Sequence, residues 1–326
     1  LHTPLSLTIN APSPFARIAQ MQPKSLISVV VPHLNQVDEL EAALRSLAVQ
    51  SLDRACFEVI VVDNGSTVPL EPAIVRHPGT RLLCEPGPGP GLARNRGAQA
   101  ANGDILCFMD ADCCAHPDWL QSAIRALHSS PPGTILGGDV RISRDEELKL
   151  TALEAYESIF AYRFKLYIER HGYSGTGNLA VRRSDFEKVG PFGGVNIAED
   201  FDWGQRARAA GMIFRYVPDM IVFHPARRSL KALFVKWDRH IHHALNMMRG
   251  QPLWQVHWFG RAFVVLLSPT VDAFKVLTSN RIEGASARAK ALGVLIVVRA
   301  YRAWRMAVLP LLEREVVWNR ETEIDQ

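Results

Sequence analysis

The stretch ILCFMDADCC, residues 105–114, carries an apolar run into two carboxylates one residue apart, Asp110 and Asp112. At a strand end curling into a loop, residues i and i+2 can turn their side chains into one small space. Two carboxylates there resist joint ionisation unless a cation sits beside them. Hard oxygen ligands suit Mg²⁺ or Mn²⁺, and Mg²⁺ usually takes one or two protein carboxylates and completes its shell with water and substrate phosphates. The pair therefore reads as a metal site holding a diphosphate; the plainer reading is a polar turn whose aspartate caps the next helix. A second acidic group, Glu199, Asp200 and Asp202, opens the segment AEDFDWGQRARAAG. Acids in the first turn of a helix complement its dipole, so chemistry and simple helix stabilisation both fit.

The elements that must position these groups follow from periodicity. LISVVVP (26–32) is a continuous β-branched run, the mark of a strand buried on both faces, and FEVIVVD (57–63) reads as a second buried strand. RLLCE (81–85) and DILCFMD (104–110) read as further strands. Between them, Asn35 is placed to cap a helix with Leu40, Leu44 and Leu47 on one face, GLARNRGAQAANG (91–103) reads as a helix, and Pro117 stands at a first helical position before an amphipathic run to 130. Strands alternating with helices predict a mainly parallel sheet covered on both faces. Ligands bind beyond the carboxyl ends of such strands, so Asp63, Asp110 and the loop after Pro32 should share one rim. Beyond this, residues 147–170 have a long helical pattern, a glycine-rich loop leads into a short strand near 178–182, and FRYVPDMIVFH (214–224) returns to strand character.

Composition narrows the class. The chain has 326 residues, 48% apolar and 21% charged, enough for one large domain with an appendage and too apolar for global disorder. Five cysteines without C-x-x-C spacing read as reduced thiols of a cytosolic protein. The glycines of GPGPG (87–91) follow a strand, but Pro88 and Pro90 remove two backbone donors that a dinucleotide loop would need, which argues against an NAD-type site.

SVVVPHLN, VIVVDNGS, GLARNRGAQAANGDILCFMDAD, GTGNLAVRRSDFEKVGPF and AEDFDWGQRARAAG occur in that order with compatible spacing. Together they resemble the family 2 glycosyltransferases over roughly residues 26–226. The resemblance implies the GT-A fold and a metal-dependent, inverting transfer of sugar from a nucleotide-diphosphate donor, in cell-surface polysaccharide or glycolipid synthesis. It implies Asp112 as the direct ligand of Mn²⁺ or Mg²⁺, Asp110 near the ribose or metal shell, and His224 as a late metal or diphosphate contact. Donor contacts would come from Pro32, Asn35, Asp63, Asn64, Arg94 and Asp104. Many members have two adjacent acids where this chain has Asp63-Asn64. Asp200, with Glu199 beside it, would be the general base that takes the acceptor hydroxyl proton; Gly177, Asn178 and Trp203 would lie on the acceptor side. A nucleotide-sugar-binding scaffold without transfer, or a nucleotidyltransferase of similar architecture, are the alternatives.

The domains read as a leader (1–24), a catalytic domain (25–230) and a basic, apolar helical extension (231–326). Residues 1–226 hold 21 Lys and Arg against 25 Asp and Glu; residues 227–326 hold 16 against 8. Apolar runs in the extension fall short of a spanning helix, and Arg288, Arg299, Arg302 and Arg305 fall on one helical arc. That pattern suits an interfacial helix on an anionic membrane or, alternatively, a helical cap or an oligomer contact. His240, His242 and His243 lack the i, i+4 spacing of a helical metal pair and read as a solvated or phosphate-facing basic face. No nucleic-acid reader motif accompanies the basic tail. The expected setting is cytoplasmic, peripheral at the inner face of the cytoplasmic membrane, with a saccharide or polyprenyl-linked acceptor.

Overall fold

A computed structural model describes residues 27–144, 149–195 and 197–311; the expected leader lies outside the described residues. Strand β1 (Ile27–His33) is followed by helix α1 (Val37–Ala48), β2 (Phe57–Asp63), α2 (Glu71–Val75), β3 (Thr80–Cys84), α3 (Pro90–Ala100) and β4 (Ile105–Met109). Then come β5 (Cys114–Ala115), α4 (Trp119–His128), β6 (Thr134–Ile142), α5 (Ala152–Phe160), β7 (Asn178–Arg182), α6 (Arg183–Val189), α7 (Glu199–Ala209) and β8 (Ile213–His224). The eight strands form one sheet in the order β3-β2-β1-β4-β7-β6-β8-β5.

The sheet is mixed rather than mainly parallel. β3, β2, β1 and β4 run parallel, β7 is antiparallel to both β4 and β6, and β8 pairs parallel with β6 and antiparallel with β5. The insertion of β7 brings its first residue, Asn178, opposite Met109, the last residue of β4. Loop residues before β7 and after β4 therefore meet at the same rim. Pairing of Cys114 with Phe223 likewise sets the D-x-D turn beside the end of β8.

β1 is buried along its whole length, as its unbroken β-branched run requires. Leu40, Leu44 and Leu47 of α1 pack with Trp119 and Leu120 of α4 on one side of the sheet. Phe108 meets Phe186 and Phe192 on the other, and Trp203 packs on both of those rings.

Local expectations need three corrections. Asn35 does not cap α1: it takes a left-handed backbone, φ 54°, and its Oδ1 accepts from Thr67 N at 2.9 Å. Pro117 lies outside α4, which starts at Trp119 after Asp118. The helical pattern of 147–170 breaks into α5, a kink, and a short, wide-turned piece over 164–171; residues 145–148 are outside the described residues.

The chain ends in four helices, α8 (Leu230–Met248), α9 (Trp254–Leu267), α10 (Pro269–Thr278) and α11 (Ala285–Val308). α5, read as part of the catalytic domain, buries Tyr156 and Phe160 against Leu233, Val276, Leu295 and Val298 of these helices. Arg281 reaches Asp139 of β6 at 2.6 Å. The extension is thus anchored to the sheet.

The arginine arc is turned inward. Arg299 pairs with Asp272 at 2.7 Å and Arg305 with Asp238 at 2.8 Å; Arg288 donates to backbone carbonyls of Val276 and Leu277, and Arg302 stacks 3.7 Å over Trp237. Beside exposed Lys231, Arg249 and Arg261, the extension exposes a broad apolar face. Val256, Phe259, Phe263, Val264 and Leu267 recur at helical spacing along α9 and stay exposed, joined by Val271, Phe274 and Leu277 of α10. Among the described residues no helix is long and apolar enough to cross a membrane.

Candidate active site

The rim formed by the ends of β1, β2, β4 and β8 gathers most of the polar groups singled out from the sequence. At the β1 and β2 ends, His33 and Asp63 are register partners. His33 is buried; its Nε2 accepts from Gln36 N at 3.0 Å, and Nδ1 lies 3.2 Å from Ser66 Oγ. Burial holds its pKa below the ordinary value, so the ring is neutral and its Nδ1 carries the proton. Ser66 donates through both its backbone N–H and its hydroxyl to Asp63. His33 belongs to the loop expected to cradle the nucleotide; Ser66 was given no role from the sequence, although a serine three residues after an aspartate is a recognisable turn signal.

Asn64 departs from its expected role. Its Nδ2 donates to Glu85 O at 2.9 Å and Gly87 O at 2.6 Å, while its Oδ1 accepts from Gly89 N at 2.7 Å. The amide holds the GPGPG loop. Gly89, at φ 114°, could not carry a Cβ, which would stand 2.5 Å from Val195 Cγ1.

The two aspartates of D-x-D part company. Asp110 meets Arg94 Nη2 at 2.6 Å, and Asp112 meets His224 Nε2 at 2.9 Å. Asp110 is held by Arg94 and still acts electrostatically on His224, whose charged form it favours. Gly177 backs it so closely that a Cβ there would stand 2.4 Å from its Oδ2. His224 Nδ1 lies 2.6 Å from Pro225 O, which fixes that nitrogen as the protonated one and aims Nε2 at Asp112. Burial disfavours charge on both groups, but each favours the charged form of the other: His224 is raised and Asp112 lowered. Tyr162 packs its ring 4.7 Å from His224, and Lys236 Nζ sits 5.4 Å over the same Tyr162 ring. Nothing in the sequence pattern pointed to either.

Arg94 is 4% exposed and bridges two elements, with Nη1 3.1 Å from Glu199 Oε1. Burial opposes its charge, yet Asp110, Glu199 and Asp200 together raise its pKa. It braces the acids and is too buried for the direct donor contact expected of it. Asp202 points away and pairs with Arg206 at 3.0 Å. Asp200, at the start of α7, forms no ion pair among the described residues. Burial, then the neighbouring Glu199, push its carboxyl up to about 6.

Three expected site residues lie elsewhere. Asp104 precedes β4 at the rim opposite Asp110, where its carbonyl accepts from Arg183 N. Asn178 is wholly buried. Its Nδ2 donates to Asp139 O and Met220 O at the β6–β8 bulge, and Trp119 Nε1 donates to its Oδ1. Trp203 is 1% exposed and donates to Gly190 O. Both are framework, not acceptor surface.

A mixed sheet with paired acids at one rim and a carboxylate–imidazole pair beside them defines a GT-A glycosyltransferase. The chain belongs to glycosyl transferase family 2, whose model matches residues 28–190. The glycosyltransferase AglE of Haloferax volcanii is 32% identical over 208 residues, covering 62% of this chain and 67% of that one. The pre-mycofactocin glycosyltransferase of Mycobacterium tuberculosis is 29% identical over 219 residues, covering 63% of this chain but only 44% of that protein. In fold, the chain is similar to the mannosyltransferase PcManGT of Pyrobaculum calidifontis, solved in complex with GDP-Man and Mn²⁺: TM-score 0.56 and 19% identity over 92% of this chain and 93% of that one.

Proposed function

We propose that this glycosyltransferase is metal-dependent and inverting, moving a sugar from a nucleotide-diphosphate donor to a saccharide or lipid-linked saccharide in cell-surface polysaccharide or glycolipid synthesis. The observation that carries the reading is the division of the acids into two sets by Arg94. On one side the Asp112 carboxylate and the His224 imidazole stand 2.9 Å apart. Among the described residues no group of three His, Cys, Asp or Glu could hold a metal; an ion held by Asp112 and His224 would take its remaining ligands from phosphate oxygens and water. Carboxylate plus imidazole fits Mn²⁺ well, and Mg²⁺ also binds with few protein ligands. The ion supplies charge neutralisation of the departing diphosphate. PcManGT, with its bound Mn²⁺ and nucleotide sugar, is in keeping with that choice.

On the other side Asp200 forms no ion pair among the described residues and is raised to about 6, suited to accept a proton near neutral pH. The acceptor hydroxyl loses its proton to Asp200 as its oxygen attacks the anomeric carbon, and the nucleoside diphosphate leaves from the opposite face. Glu199, held by Arg94, keeps the first turn of α7 in place. Asp63, held by Ser66 and beside His33, faces the nucleotide end of the rim, with Pro32 and Asn35 shaping the loop.

The exposed apolar face of α9 and α10 supports peripheral attachment at the inner face of the cytoplasmic membrane. Because the arginines are engaged internally, apolar insertion supplies this attachment more than charge does.

Thermal unfolding with a panel of nucleotide sugars, with and without Mn²⁺, tests the transfer reading. One donor should raise the melting temperature, and more so with the metal. No response to any donor would contradict it.

A further inference from the structure

The wall of the rim beside Asp200 is aromatic. Tyr167 and Tyr173 stack with centroids 5.4 Å apart and planes 8° apart, and Phe201 meets Tyr173 edge to face at 5.2 Å and 86°. Phe201 directly follows Asp200, and its N–H donates to that carboxylate at 3.2 Å. Its ring is 38% exposed, while Tyr167 and Tyr173 are half-buried. Burial first, then Tyr167 and Asp200, raise the Tyr173 phenol above its ordinary value, so a protonated hydroxyl stands within the field of the base.

The backbone is shaped around these rings. The short helix that begins at Phe164 ends in a wide turn, Tyr167–His171, a rare form that recurs at functional sites. Gly172 then takes a left-handed φ of 64°, open to glycine at little cost, and brings Tyr173 N within 3.4 Å of Tyr167 O. α7 receives this turn on one stripe, Phe201, Gly204, Gln205 and Arg208, which share a helix face. Gly204 comes so close that a Cβ there would stand 2.3 Å from Tyr173 Cβ. Gln205 and Arg208 point N–H groups at His171 O, each 3.5 Å away. The rings are therefore fixed by two packed elements.

Asn178 and Trp203 are buried in the framework, so the acceptor is seated by other residues. Asp200 takes its proton from a hydroxyl within hydrogen-bond reach, and the side chain next to it is an exposed ring. A pyranose shows polarised C–H groups on one face and hydroxyls round its edge. That C–H face suits the negative face of an aromatic ring, and a phosphodiester has no such face.

We propose that Phe201, backed by Tyr173 and Tyr167, is the platform on which the acceptor's pyranose ring stacks, and so determines specificity for a sugar acceptor. The proposal rests on the transfer reading and names the seat and chemical class of its acceptor.

Saturation-transfer NMR on the full chain, with irradiation of aromatic protons, tests it on the methyl glycosides of glucose, galactose, mannose and N-acetylglucosamine. At least one should receive saturation on the C–H groups of a single ring face. Phe201→Leu, apolar at an exposed position, should weaken that glycoside about fivefold to tenfold, the scale of one aromatic contact. Phe201→Tyr should retain it, and Phe263→Leu, on the exposed face of α9, should leave it unchanged. The proposal is overturned by no saturation of any glycoside, by unchanged binding in Phe201→Leu, by equal loss in Phe201→Tyr, or by equal loss in Phe263→Leu. The melting-temperature response to nucleotide sugars reports on transfer separately. A donor response without glycoside stacking sinks the platform and leaves the transfer; stacking without any donor response sinks the transfer and leaves a sugar-binding wall.

Discussion

Arg94 stands 2.6 Å from Asp110, so that a helix packed on the sheet reaches the turn that follows β4. The same guanidinium also meets Glu199 at 3.1 Å, and the two contacts hold the D-x-D turn and the first turn of α7 in fixed relation. Breaking a buried ion pair by removing one partner costs about 3–5 kcal/mol. Arg94→Met should therefore lose stability of that order in denaturant titration at pH 7. An effect below about 1 kcal/mol would show that the two elements are held by packing alone.

The metal pair makes a separable prediction. Asp112→Asn keeps size and removes a charged ligand, so the extra melting-temperature gain that Mn²⁺ gives in the presence of donor should disappear while the unliganded protein still folds. His224→Gln should act the same way. Full metal response in both variants would remove Asp112 and His224 from the site.

Asp200 predicts a trade between function and stability. Its carboxyl is raised from the ordinary 3.8 to about 6, by burial first and Glu199 next. The native state then holds this proton more tightly than the unfolded chain, so the group's stabilising contribution is complete below about pH 4 and is lost as pH rises through about 6. Asp200→Asn escapes that loss. It should be more stable than the wild type at pH 8, by up to about 3 kcal/mol, and should show no gain at pH 3.5. Equal stability at both pH values would mean that the carboxyl is not raised.

Much of the rim was legible because strand ends announce themselves. β1, β2 and β4 are largely apolar runs, broken only by Ser28 and Glu58, and the residue at which each run stops, His33, Asp63 or Asp110, falls at the rim. What could not be read was direction within that rim. Asn64 and Asn178 look like ligand-binding amides in the sequence, but both donate to backbone carbonyls 21 to 42 residues away, and Asn178 also accepts from the Trp119 indole. Asp104 sits at the wrong end of its own strand for the same chemistry. The arginines of α11 fall on one arc in either reading; only the packing of α8 and α10, with Asp238 and Asp272, turns that arc inward. Tyr162 and Lys236 carry no periodic signal, since their place beside His224 depends on how the extension docks.

The reversal of that arc changes the expected membrane behaviour. Phe263 and Phe274 are 62% and 69% exposed, and apolar insertion is little affected by salt, unlike attraction between charges. Sedimentation with liposomes should show binding that survives high salt and falls in Phe263→Asp and Phe274→Asp. Binding abolished by salt and indifferent to these substitutions would restore a charge-driven attachment; no binding at all would leave the face to a protein contact.

The central claim, that Asp200 takes the acceptor's proton during sugar transfer, is tested most directly by single-turnover transfer in Asp200→Asn, with donor affinity measured on the same preparation. The account predicts donor affinity close to that of the wild type and a transfer rate lower by about 10²-fold or more, the scale of general-base catalysis. A variant that transfers at the wild-type rate, or that loses rate only in proportion to lost donor binding, would contradict it.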